Sequence, residues 1–336
     1  MTAVVIQTAF LGDVVLTTPL LAALAERHGP VDVVTTPAAA PLLETHPAVR
    51  RVIAYDKRGG DRGWRGLRSL GRRLVAEGYE RAYLPHRSLR TAALAWLARI
   101  PKRIGFTDGW PFLYTETRRR ASDGHEVDRL LALADRPPAA YPPALHLTPE
   151  DRAAAAAVLE GVGDPLVALA PGSIWGSKRW PYFPQLARRL SMAGANVVAV
   201  GGADDVGWGD AIVRAVGLSG RRAVNACGTL TLRQSAAVIA RAALLVTNDS
   251  APLHLATAVG TPVIALFGPT VPEFGFGPIR DGDVTLGVGV DRLPCRPCSP
   301  HGPPSCPLGH HRCMRDIGAD VVAAAIEESG ALRRRN

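Results

Sequence analysis

No stretch of this 336-residue sequence stays apolar for long. None reaches the ~18 residues that a bilayer-spanning helix needs. The amino terminus lacks a basic region before its first apolar run, which Asp13 interrupts, so neither a leader nor a membrane anchor is expected and a cytoplasmic protein is. Aromatic residues make up only 6%, and no recognised nucleic-acid motif interleaves them with basic side chains. A Walker loop is missing, and the first strand-to-helix turn has no G-x-G-x-x-G. A mononucleotide kinase and a dinucleotide oxidoreductase are therefore unsupported. Low-complexity tracts and short-period repeats are also lacking.

What is present describes a globular chain, 47% hydrophobic and 21% charged, long enough for two domains with their own cores. Lysine and arginine outnumber acidic residues 39 to 30, for a net charge of +9. An anionic partner is implied: nucleic acid, anionic lipid or a phosphorylated substrate. The basic residues gather in the first half, at Lys57-Arg58, Arg62, Arg65, Arg68, Arg72-Arg73, Arg87, Arg90, Lys102-Arg103 and Arg118-Arg119-Arg120.

The most informative stretch lies late in the chain. Residues 244–246 and 263–267 are short, β-branched apolar runs fit for buried parallel strands, and the segment between them has helical length. Ser250 suits the cap of that helix, Pro252 its first turn and Gly260 its left-handed end. The loop 248–251 then sits where a strand's carboxyl end meets a helix's amino end. Ligands bind there in open α/β sheets, and the free N–H groups and helix dipole favour a phosphate. Taken alone, Asp249 and Ser250 are equally readable as capping residues.

Alternating strand and helix patterns fill both halves. In the first, strands are expected over 3–8, 31–35, 52–55, 81–84 and 103–106, with helices over 14–28, 38–44, 66–78 and 91–98 and an amphipathic one from His125. The second half repeats the pattern, with strands over 166–170, 196–200 and 223–226, helices over 149–161, 184–193, 208–215 and 232–242, and then the unit just described. Four prolines within 136–143 exclude helix and central strand. A boundary there gives domains 1–143 and 144–336, with 333–335 as a short basic tail. Two doubly wound α/β domains facing a cleft is the expected architecture. The loop 171–181 follows the second half's first strand, and in it Ser173 can donate to a phosphate oxygen and Lys178 can pair with a diphosphate.

Taken in order, Leu11-Gly12-Asp13-Val14-Val15-Leu16-Thr17-Thr18-Pro19, the helix at His125, Pro171-Gly172-Ser173 through Lys178-Arg179-Trp180-Pro181, and Thr247-Asn248-Asp249-Ser250-Ala251-Pro252-Leu253-His254 resemble glycosyltransferase family 9. These are the heptosyltransferases that use ADP-heptose to build the inner core of lipopolysaccharide, and the likeness is greatest to the heptosyltransferase II branch. The resemblance implies a GT-B fold of two Rossmann-like domains and an inverting reaction with no obligatory metal or cofactor. Asp13 stands where the family has its catalytic base; without the resemblance it would be read as a cap of the first helix. Lys178 matches the lysine that reaches diphosphate and sugar, and Asp249 the acid near the sugar hydroxyls. Ser250 and Ala251 would hold the diphosphate through backbone N–H groups, with His254 as a phosphate neighbour. Asp204 would accept from ribose hydroxyls although some relatives have a glutamate, and Thr229 and Leu230 would line the adenine. The acceptor, a phosphorylated lipid-linked sugar, would meet Lys57, Arg58, Arg62, Arg87 and Arg90 during transient contact with the inner face of the cytoplasmic membrane.

Cys295-x2-Cys298, Cys306 and Cys313 form a second concentration, in a segment rich in Pro, Gly and His; Cys227 lies apart. In a cytoplasmic protein the spacing favours a structural zinc knot or reduced thiols over disulfides. Other functions considered are a GT-B transferase with another donor or acceptor, a sugar-nucleotide epimerase and, on charge alone, a nucleic-acid-binding protein.

Overall fold

The computed structural model describes residues 2–138, 141–217 and 220–333, so Ala139 and Ala140 of the proline-rich linker and Arg334 and Arg335 of the basic tail lie outside the described residues. The chain divides into two compact units, between His146 and Leu147. Residues 144–146 belong to the first because they pack on it. The Ala144 N–H donates to Thr18 Oγ1 at 3.0 Å, Leu145 is buried, and the His146 carbonyl accepts from Thr45 Oγ1 at 2.5 Å.

The first unit runs β1 (Ala3–Ile6), α1 (Leu11–Leu16), α2 (Thr18–His28), β2 (Val31–Thr35), α3 (Ala40–Leu43), β3 (Val49–Ala54), α4 (Gly63–Ala76), β4 (Arg81–Leu84), α5 (Leu89–Leu97), β5 (Lys102–Phe106), β6 (Glu116–Arg118) and α6 (Glu126–Leu131). Its six strands are parallel in the order β3-β2-β1-β4-β5-β6. The second unit runs α7 (Pro149–Val158), β7 (Leu166–Ala170), α8 (Phe183–Met192), β8 (Asn196–Ala199), α9 (Val206–Val216), β9 (Ala223–Asn225), α10 (Leu232–Arg241), β10 (Leu244–Asn248), α11 (Ala251–Val259), β11 (Val263–Phe267), β12 (Val284–Gly287), α12 (Arg312–Arg315) and α13 (Ala319–Glu328). Its parallel sheet has the order β12-β11-β10-β7-β8-β9. Counted from its own first strand, this is the same winding.

Central strands β1, β2, β7, β8, β10 and β11 are buried along their whole length, which is why they read as unbroken apolar runs. Edge strands β6 and β12 are short and partly exposed, carry little apolar signal, and are missing from the sequence reading. The expected helix over 14–28 is two helices. Its first turns close at Thr17, whose N–H returns to the Asp13 and Val14 carbonyls, and Pro19 cannot donate across the break.

In each sheet the winding reverses beside its first strand, between β1 and β4 and between β7 and β10. A crevice opens at the carboxyl ends of such neighbours, because their crossovers leave to opposite faces. Asp13 follows β1, Lys178 follows β7 and Asp249 follows β10, so the sequence's strongest candidates all stand at switch points.

Candidate active site

At the first switch point, four residues separate the end of β1 from the start of α1, and Asp13 is the helix's third residue. Asp13 Oδ2 accepts the Phe10 N–H at 2.8 Å, so the capping role considered for this carboxylate is real. It does not exhaust the residue. The residue as a whole is half-buried, and loss of solvent around its carboxyl is the dominant influence and pushes its pKa up to about 7, opposed by the Phe10 N–H. Nearby Glu126 pushes in the same direction, and Arg120 opposes it. Glu126 is buried at the start of α6 and paired with Arg120 and, at 3.5 Å, with Arg129. His125 fixes that helix start by accepting the Val127 N–H on Nδ1 at 3.2 Å. The acid that tunes Asp13 escaped the sequence reading, although the helix carrying it did not.

The basic candidates of this unit divide into anchored and free. Lys57 Nζ donates to the Thr8 carbonyl just past β1 at 2.5 Å; burial lowers its pKa, helped by Arg58 and Arg90. Arg90 donates to the Tyr55 hydroxyl at 3.2 Å, and Arg87 pairs with Asp108 at 2.5 Å. Arg58 and Arg62 are exposed. His86, following β4, meets Thr8 Oγ1 at 3.1 Å across the switch point and is held neutral, its pKa lowered to about 4 by burial, Lys57 and Arg87. Lys57, Arg58 and Arg90 thus share one neighbourhood at the carboxyl edge.

At the second switch point the polar groups bond to one another. Lys178, expected in an open loop, is buried in a single 3-10 turn, and its Nζ reaches Asp249 Oδ2 at 2.6 Å. Thr270 Oγ1 donates to the same oxygen at 2.6 Å. Asn248, fully buried at the end of β10, accepts the Trp180 N–H on Oδ1 at 3.1 Å and donates Nδ2 to the carbonyls of Pro171 (2.9 Å) and Gly172 (3.3 Å). One side chain thereby fixes both loops. Ser250 occupies the cap position of α11, but its hydroxyl does not cap the helix; it turns to the Gly172 carbonyl at 3.3 Å. Ala251 N–H, the first of α11, has no intrahelical acceptor, Pro252 has no N–H, and Leu253 N–H already donates to the Ser250 carbonyl at 3.1 Å. Ser173 Oγ accepts the Trp175 N–H at 3.2 Å, which leaves its own proton available. His254 is buried within α11.

The nucleoside candidates follow β8 and β9. Asp204 is exposed on a 3-10 turn, Thr229 is exposed and donates to the Ala226 carbonyl at 3.0 Å, and Leu230 is half-buried. The next residue, Asp205, was overlooked and turns inward. It accepts the Gly202 N–H at 3.0 Å and lies over bare backbone, where a Cβ on Gly172 or Gly201 would stand 2.2 or 2.7 Å from its Oδ2.

The cysteine-bearing segment packs against the Lys178 turn. His311 Nε2 meets the Ser177 carbonyl at 2.7 Å, Ser177 Oγ donates to the Pro303 carbonyl, and a Cβ on Gly302 would stand 3.1 Å from Lys178 Cε. Buried Arg296 donates to the Phe267 and Thr270 carbonyls at 2.9 Å each, fixing the turn that carries Thr270. All five cysteines are free thiols. Among the described residues no group of three His, Cys, Asp or Glu side chains is arranged to hold a metal ion.

Residues 67–300 match the model of glycosyltransferase family 9 (heptosyltransferase). The chain belongs to that family. It is 27% identical over 321 residues to lipopolysaccharide heptosyltransferase 2 of Salmonella typhimurium, covering 84% of this chain and 91% of the relative. To lipooligosaccharide heptosyltransferase 2 of Haemophilus influenzae it is 30% identical over 318 residues, covering 89% and 90%. The solved structure of Escherichia coli ADP-heptose lipopolysaccharide heptosyltransferase II superposes with a TM-score of 0.80 at 25% identity, covering 98% of each chain. The fold is therefore GT-B, and the protein is a glycosyltransferase of the heptosyltransferase type.

Proposed function

We propose that this family 9 enzyme transfers heptose from ADP-heptose to a phosphorylated, lipid-linked inner-core sugar at the inner face of the cytoplasmic membrane. The observation that carries the reading is the buried Lys178–Asp249 pair at the β7/β10 switch point, beside the amino end of α11. An ammonium has three protons and only one is given to Asp249, so Lys178 retains donors for a diphosphate. The Ser250 and Ala251 N–H groups and the positive end of the α11 dipole add to it, with Ser173 and His254 as neighbours. Asp249 also accepts from the sugar hydroxyls. Asp205 joins Asp204, Thr229 and Leu230 as a nucleoside neighbour, and Lys57, Arg58, Arg62, Arg87 and Arg90 receive the acceptor's phosphates.

In the reaction the acceptor hydroxyl gives its proton to Asp13 as its oxygen bonds to the anomeric carbon. The bond from that carbon to the diphosphate oxygen breaks, its electron pair leaves with ADP, and the configuration inverts. A carboxylate with a pKa near 7 is well matched to this task at neutral pH, being both ionised and basic enough. Charge developing on the diphosphate is met by groups already in place, so little reorganisation accompanies bond breaking. Mass spectrometry of products from ADP-heptose and defined truncated acceptors tests the reading. An acceptor heavier by one heptosyl residue is expected; product from a UDP-hexose alone overturns it.

A further inference from the structure

The first unit carries a further basic surface along α4, beginning just past Arg62. Between Asp61 and Glu77 the chain holds five arginines and no acidic residue, and none appears again between Glu80 and Asp108. Helix α4 buries Leu67, Leu70 and Leu74, leaving Arg65, Arg68 and Arg72 exposed on its outer side. It lies close to α5 because residue 71 is glycine: a Cβ there would stand 3.0 Å from that of Leu97. Along the two helices runs a groove lined by Arg65, Arg68, Arg72, Arg99, Arg103 and Trp96. Among the described residues, none of Arg65, Arg68, Arg72 and Arg99 forms an ion pair. The indoles of Trp64 and Trp96 are 57% and 54% exposed.

Unpaired like charges crowded on one face repel one another, and an anionic partner relieves that repulsion. The partner's form follows from the spacing. From Arg65 to Arg72 the charges spread over about 10 Å of helix instead of converging on one phosphate. Large exposed indoles beside spread cations match the layered chemistry of a bilayer surface, with phosphates outside and the headgroup–acyl boundary just beneath. We propose that the α4/α5 groove docks the first unit on an anionic phospholipid surface, its arginines against headgroup phosphates and Trp64 and Trp96 in the interface. The proposal deepens the reading of a lipid-linked acceptor, and rests on it for its purpose.

The test is co-sedimentation of the full chain, without donor or acceptor, with vesicles of phosphatidylcholine alone or mixed with phosphatidylglycerol. Binding is expected only to the mixed vesicles, falling as salt rises. Arg68→Glu/Arg72→Glu should weaken it about tenfold or more, two reversed charges each acting at the surface. Trp96→Ser should weaken it several-fold, and this single exposed change covers the case in which the double variant folds poorly. Transfer to a lipid-free truncated acceptor should be unchanged in both variants. Equal binding to neutral vesicles, full binding by the folded variants, or binding to a single-stranded oligonucleotide but not to vesicles would each overturn the proposal. Vesicle binding that survives while transfer from ADP-heptose fails would sink the catalytic reading instead.

Discussion

The two units wind their sheets in the same order, yet furnish the switch points in opposite ways. In the second, a lysine and a threonine are buried and bonded to one aspartate, and a buried asparagine is bonded to the backbone of the lysine's loop. In the first, the carboxylate is held in a poorly solvated place, and Arg58 and Arg62 stand in water. A site built to neutralise a diphosphate gains from being complete beforehand, since fixed charges need no rearrangement as the bond breaks. A base gains from being badly solvated, because that raises its affinity for the proton it must take. On the proposed reading, one fold thus serves two opposed electrostatic demands.

The largest effect should come from removing the proposed base. Asp13→Asn keeps the shape and should lower kcat by about 10²- to 10⁴-fold, with ADP affinity unchanged by calorimetry. The same change should stabilise the protein at pH 8. With a folded pKa near 7 against an ordinary 3.8, the native state binds more protons than the unfolded one between those values, so this group's contribution falls as pH rises from about 4 to about 7. A melting temperature at pH 8 no higher than wild type would contradict that account. Next, Lys178→Ala should reduce kcat/KM by about 1–3 kcal/mol and lower stability by roughly 3 kcal/mol, because Asp249 stays buried without its cation. Adding Asp249→Asn should recover stability but not activity; recovery of both would dissolve the contrast between the units.

Smaller effects sharpen it. Gly172→Ala should push Asp205 off the Gly202 N–H, at a cost of about 1 kcal/mol in stability, and weaken ADP binding. Unaltered ADP affinity would place the nucleoside elsewhere. The smallest change is Glu126→Gln. It removes a negative charge near Asp13 and leaves Arg120 and Arg129 uncompensated, so the acid limb of the kcat/KM profile should move to lower pH. An upward move would mean that Glu126 does not act on Asp13 through its charge.

Much of this was legible in the residues. Buried parallel strands announce themselves as apolar runs, and residues just past them fall at sheet edges by topology, which made Lys178 and Asp249 candidates without coordinates; Asp13 needed the family resemblance, since by itself it reads as a helix cap. Strands β6 and β12 were not legible, because an edge strand needs no apolar face on both sides. Loop side chains were the least legible. Lys178 looks like any solvated lysine until the segment around Gly302 and His311 is folded over its turn. Asp204 and Asp205 are chemically identical, and the geometry of one 3-10 turn sends only the second inward. The tuning of Asp13 by Glu126 joins residues more than a hundred positions apart, which no local pattern encodes.

Asn248 offers an oxygen to the far end of the loop after β7 and amide hydrogens to its near end, and that asymmetry constrains substitution. Aspartate has the same outline but would face two carbonyls with negative charge; leucine would fill the volume and strand three backbone partners in a dry place. No other natural side chain of that length both gives and receives in this manner. The loop bearing the ammonium and the helix bearing the N–H groups are therefore tethered to a single amide, and neither can drift during evolution without the other.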